Sequence, residues 1–112
     1  MSQLPTQVGD TARRSRAITQ RDIELVTELT GDRNPLHYDA EAAARSRLGG
    51  IVVQGGVTSG LLNALVAEDL PGPGSVFLHV DWSFRAPVRP TITNQDDVVV
   101  LEGTAVVYRV PL

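Results

Sequence analysis

The stretch 57–88, VTSGLLNALVAEDLPGPGSVFLHVDWSFRAPV, joins two hydrophobic periods through a stop. Over 57–69, Val57, Leu61, Leu62, Leu65 and Val66 fall at helical spacing. Their broad apolar stripe predicts a long buried helix. Two prolines and two glycines in 70–74 end it. From Ser75 the period becomes two. Val76, Leu78, Val80, Trp82 and Phe84 alternate with Ser75, Phe77, His79, Asp81, Ser83 and Arg85. That alternation predicts a strand over 75–88 with one strongly apolar face. The stretch 91–110 reads as two more strands, with Asn94-Gln95-Asp96-Asp97 as their hairpin turn. Helices followed by antiparallel strands make an α+β domain, in which a sheet wraps a long central helix.

Working upstream, 8–19 is a short extended lead with mixed charge, and Thr19 is an N-cap with Asp22 three positions on. Ile23, Val26 and Leu29 mark the apolar face of a helix over 20–29, and Gly31 ends it. Asp39 caps a short helix over 40–48, which Gly49-Gly50 terminates. Residues 51–53 are a strand-like piece, followed by Gln54-Gly55-Gly56.

The 112 residues fit one domain, 1–112, with a core modest enough that oligomer contacts would help its stability. A net charge of −3 argues against a nucleic-acid binder. The longest apolar runs are far too short to cross a bilayer, and no secretory signal is visible, so a cytoplasmic protein is expected. All ten basic residues are arginine, which rules out a Schiff-base lysine. With no cysteine, disulfides and thiolate chemistry are excluded, and no cluster of metal ligands is visible.

Residues 31–37, GDRNPLH, carry the chemistry. Asn34-Pro35 forms a rigid turn that a regular helix does not accept, and it holds Asp32 and His37 on either side. A carboxylate converging on an imidazole can hold a water and move protons. As a bare pair, these residues could equally be a turn cap and a satisfied loop histidine. The whole string resembles the hydratase motif of the MaoC-like, (R)-specific enoyl-CoA hydratase family, Gly-Asp-x-Asn-Pro-x-His. Gly31, Asp32, Asn34, Pro35 and His37 match every fixed position. The likeness extends from Ile18 to Pro90.

The resemblance implies a hot-dog fold, usually dimeric, so a homodimer is expected. It implies that Asp32 and His37, with Asn34, form the catalytic set. That set would add water, syn and reversibly, to a trans-2-enoyl-CoA, giving a (3R)-3-hydroxyacyl-CoA. It also implies that Gly55 offers its N–H to the thioester carbonyl. Gly55-Gly56 before a helix suits a developing oxyanion, though the glycines could equally serve a tight turn. Coenzyme A would be part of the substrate, and no cofactor is expected. Asn63 matches a place where relatives often carry a polar residue near the site; it could bond the dyad or the substrate, or be a structural amide.

Gln54 departs from the family's common histidine and reads as positional. His79 lies on the polar strand face, Glu68-Asp69 reads as a solvated helix end, and Arg85 and Arg89 could meet coenzyme A phosphates or be surface charges. After Pro90 the resemblance breaks. A strand region of roughly two dozen residues is missing between Pro90 and Thr91, either dropped from the sequence as written or deleted from the protein. Two other activities stay open: a non-catalytic MaoC-like acyl-CoA binding module, and a hot-dog acyl-CoA thioesterase.

Overall fold

The structure, a computed structural model, describes residues 6–90 and 99–112. Its first helix, α1 (Gln20–Thr30), opens on the expected capping box. The Thr19 N–H donates to Asp22 Oδ2 at 2.7 Å. It closes at Gly31, where φ is +82°, a left-handed conformation that glycine adopts without strain. Asp22, Ile23 and Thr27 are buried and Val26 half-buried. Leu29, expected on the same face, is 84% exposed. It sits about 120° around the helix from Ile23, outside the narrow arc that packs.

The Asn34-Pro35 turn is itself helical, contrary to expectation. Asn34 caps α2 (Pro35–Tyr38), its side chain accepting the Leu36 N–H at 3.1 Å. Pro35 takes the first helical position, where its missing N–H breaks no bond. Asp39 then caps α3 (Ala40–Arg45), as the sequence indicates, accepting from Glu41 and Ala42 N–H. α3 ends three residues before the expected Leu48, because the Ser46 hydroxyl takes over the Ala43 carbonyl and the Leu48 N–H.

Residues 51–53 are extended. Val52 N–H bonds Leu36 O at 3.1 Å and Val53 N–H bonds Val88 O at 2.8 Å. α4 (Gly55–Glu68) starts two residues earlier than its hydrophobic stripe, with Gln54 as its N-cap. Of this helix only Val57 is fully buried, where the sequence predicts a buried helix throughout. Ile23, Val53 and Val57 form the core, with Ile18, Val26, Ile51 and Val88 packed against them. The core therefore lies at the start of α4, beneath the turn that carries Asp32 and His37.

β1 (Ser75–Phe84) pairs antiparallel with β2 (Leu101–Arg109), from Ser75 opposite Arg109 to Phe84 opposite Leu101. β1 stops before the expected Val88, and Arg85 and Ala86 both donate their N–H to Val100 O. The register slips between Phe77 and His79, so Leu78 is an extra residue in a β-bulge. The bulge overturns the simple alternation. Phe77, rather than Val76, shares a face with Val80, Trp82 and Phe84. The Phe77 and Trp82 rings meet edge to face, 6.4 Å between centroids. Val76 and Leu78 are 46% and 65% exposed. Of the two strands expected over 91–110, β2 is described. The Asn94–Asp97 turn and the stretch before it lie outside the described residues.

Candidate active site

Asp32 is pinned from three directions. Its N–H donates to Thr30 Oγ1 at 3.1 Å, and its carbonyl accepts the Thr27 hydroxyl at 2.7 Å. Its Oδ1 accepts the Asn34 N–H at 3.0 Å, an Asx turn that leaves Oδ2 free. His37 is buried, at 8% exposure, and its N–H bonds Asn34 O at 2.9 Å. The ring is fixed by Nδ1, 2.7 Å from the Val52 carbonyl. A carbonyl only accepts, so Nδ1 carries a proton, and Nε2 is the nitrogen left to exchange protons on the side of Asp32. Nε2 faces Asp32 Oδ2 at 3.6 Å. That separation is too long for a direct hydrogen bond, and a water about 2.8 Å from each atom could donate to both.

Asn34 is the brace of this pair: its N–H holds Asp32, its side chain caps α2, and its carbonyl receives the His37 N–H. Three residues beyond Val52, Gly55 and Gly56 open α4 and are exposed. The N–H groups of a first helical turn lack intrahelical partners and sit at the positive end of the dipole. A groove of about 420 Å³ runs past Gly55, lined largely by apolar residues including Leu48, Val52, Val53 and Phe84. A Cβ on Gly55 would stand 3.0 Å from Cε1 of Phe84, so glycine permits this close approach.

Asn63 lies apart from this group. It is exposed and lines a second groove of about 360 Å³ with Gly56, Ser59, Phe77 and Trp82. Among the described residues no hydrogen bond joins it to Asp32 or His37. His79 is exposed on the opposite sheet face, paired with Val106. Arg85 bonds Glu102 at 2.8 Å, and Arg89 donates to the Leu48 and Ile51 carbonyls. Asp69 is the C-cap of α4 and pairs with Arg14. The hydrogen bond and charge of Arg14 hold the Asp69 carboxyl below the usual range, and Asp69 raises the Arg14 guanidinium.

Sequence reasoning missed Thr27 and Tyr38, and saw Gln54 only as positional. Gln54 is 2% exposed. Both N–H groups of its amide are used: Nε2 donates to Ile23 O at 3.0 Å and to Thr27 Oγ1 at 3.2 Å. A neutral imidazole has one N–H and could not serve both acceptors. Thr27 Oγ1 also bonds the Tyr38 hydroxyl. The available signal was a polar residue four positions after Ile23, on the helix face that packs.

Among the described residues no helix is long and apolar enough to cross a membrane, and no group of His, Cys, Asp and Glu could hold a metal ion. Comparison with known proteins matches residues 4–108 to the family described as "MaoC like domain". The chain is 41% identical over 83 residues to a 3-hydroxybutyryl-CoA dehydratase of Methylorubrum extorquens, covering 74% of this chain and 53% of that protein. It is 34% identical to an (R)-specific enoyl-CoA hydratase of Aeromonas caviae, covering 79% of this chain and 66% of that one. The chain thus spans about half to two thirds of these relatives. Among solved structures, an (R)-hydratase from A. caviae involved in PHA biosynthesis superposes with a TM-score of 0.81, 27% identity and coverage of 95% of this chain and 98% of that one. An unliganded (R)-hydratase from Pseudomonas aeruginosa gives 0.80 at 28% identity, covering 93% and 82%.

Proposed function

Since the chain belongs to the MaoC-like domain family and has its hot-dog fold, we propose that it is an (R)-specific enoyl-CoA hydratase or dehydratase. The reaction is the reversible syn addition of water to a trans-2-enoyl-CoA, giving a (3R)-3-hydroxyacyl-CoA. The observation that carries this reading is the 3.6 Å gap between Asp32 Oδ2 and His37 Nε2, with each group fixed from its far side.

A water held in that gap donates to both atoms and keeps a lone pair free. Its oxygen bonds to C3 of the enoyl thioester as the pair accepts its proton. The C2–C3 π electrons move toward the thioester carbonyl, and the pair returns a proton to C2 on the same face. The enolate oxygen sits against the N–H groups of Gly55 and Gly56, where the α4 dipole favours negative charge. The apolar groove beside Gly55 supports an acyl thioester as substrate. The outer sheet face, with Val76, Val106 and Tyr108 exposed, supports a homodimer as the working form.

The test follows the enoyl-thioester absorbance of crotonyl-CoA with purified protein. Loss of absorbance without free thiol, abolished by Asp32→Asn, is the expected result. Release of free thiol would mark a thioesterase. Binding of the acyl-CoA without turnover would mark a binding module.

A further inference from the structure

The proposed chemistry needs Asp32 and His37 held across a fixed gap, and the residue best placed to hold them lies outside the motif. Thr27 sits near the end of α1, 4% exposed. Its hydroxyl oxygen meets three groups: the Asp32 carbonyl, the Tyr38 hydroxyl and Gln54 Nε2. The Asp32 carbonyl can only accept, so the single Thr27 proton goes there. The Thr27 lone pairs then receive the Tyr38 O–H and a Gln54 N–H. The network is therefore directional: each N–H and O–H aimed into this hub has an acceptor, while the buried Gln54 Oε1 on its far side has no hydrogen-bond partner.

Its placement is as telling as its pattern. Tyr38 directly follows His37, and Gln54 directly precedes Gly55. Through one oxygen, α1 grips the backbone of the acid, the neighbour of the imidazole and the cap of the helix that presents Gly55 and Gly56. We infer that Thr27 is a positioning residue, which sets the Asp32–His37 gap and registers the pair against the α4 N-terminus. The inference rests on the hydratase reading of that pair.

Thr27→Val keeps the shape and removes the hydroxyl, leaving Tyr38 and Gln54 aimed at a methyl group. The kcat for crotonyl-CoA falls about 10- to 100-fold, the cost of misplacing reacting groups, while KM changes little. Thr27→Ser returns most of the lost kcat. In Thr27→Val the His37 Nε2 15N resonance moves in the direction in which Asp32→Asn moves it. A folded Thr27→Val protein with unchanged kcat and resonance overturns the inference. So does a loss that Thr27→Ser fails to recover, which would be a packing effect. If Thr27→Val does not fold, Tyr38→Phe carries the test by removing one hydroxyl at a partly exposed side chain. The same resonance shift is then expected, and an unmoved resonance overturns the inference. Should the wild-type protein not hydrate crotonyl-CoA, the functional reading falls, while the resonance measurement still decides the role of Thr27.

Discussion

His37 donates through Nδ1 to the carbonyl of Val52 across 2.7 Å, so a residue fifteen positions away chooses which ring nitrogen faces Asp32. The ring is held by backbone, and the acid by its own Asx turn. Replacing the acid should therefore cut turnover sharply while leaving the scaffold intact, whereas replacing His37 would also orphan the Val52 carbonyl. Asp32→Asn preserves the acceptor for the Asn34 N–H. It should lower kcat by about 10²- to 10⁴-fold with little change in melting temperature, read by crotonyl-CoA absorbance and thermal denaturation.

Gln54 offers a stability test at the same location. Gln54→Ala leaves a buried cavity and removes both donors to α1. A loss of about 2–4 kcal/mol in urea-unfolding free energy is expected. Gln54→His keeps bulk and one donor, and should fall between the alanine variant and the wild type.

Two glycines should respond oppositely to alanine. At Gly103 a Cβ would lie 1.8 Å from the Asp81 carbonyl oxygen, a clash with backbone. Gly103→Ala should cost more than about 4 kcal/mol or prevent folding, seen as loss of the β1–β2 amide protection in hydrogen exchange. At Gly55 the obstacle is the edge of Phe84, a side chain 59% exposed and free to yield. Gly55→Ala should stay within about 1 kcal/mol of wild type by the same measurements.

The Arg14–Asp69 pair gives a pH effect of known sign. Asp69 titrates below its usual range because of Arg14. Its contribution is thus present above the unfolded-state carboxylate pKa and lost as pH falls through the lower, folded value. Arg14→Ala should move the Asp69 titration back up, followed by carboxyl 13C NMR, and flatten the acid limb of stability against pH.

Local chemistry was readable without the fold. Thr19 with Asp22, Gly31 and Asp39 act through neighbours within four residues, so these caps and the end of α1 fell where the sequence placed them, while α3 stopped short of Gly49 at Ser46. The motif brought Asp32, Asn34 and His37 together for the same reason. What depends on distant partners was not readable. Leu29 satisfies a three-residue spacing, yet α1 buries only the arc around Ile23 and Thr27. The helical turn after Asn34 was hidden because proline breaks a helix in its interior and starts one at its first position. Val52 and Gln54 reach His37 and Thr27 across 15 and 27 residues, a relation no periodicity encodes.

The extra residue in β1 works like a frameshift in the strand. Read as one amphipathic strand, β1 would supply a single greasy side. With Leu78 inserted, the phase changes midway: Phe77, Val80, Trp82 and Phe84 turn toward α4, while Val76 joins Tyr108 and Val106 on the far side. One ten-residue segment thereby furnishes walls for two different neighbours. Removing Leu78 would leave Phe77, Val80, Trp82 and Phe84 in unbroken alternation, so Phe77 would keep its place beside Trp82 and Val76 its place on the far side. The inserted residue is thus what lets a sequence that alternates in one frame present Phe77 beside Trp82, and its deletion would straighten the strand without exchanging its two faces.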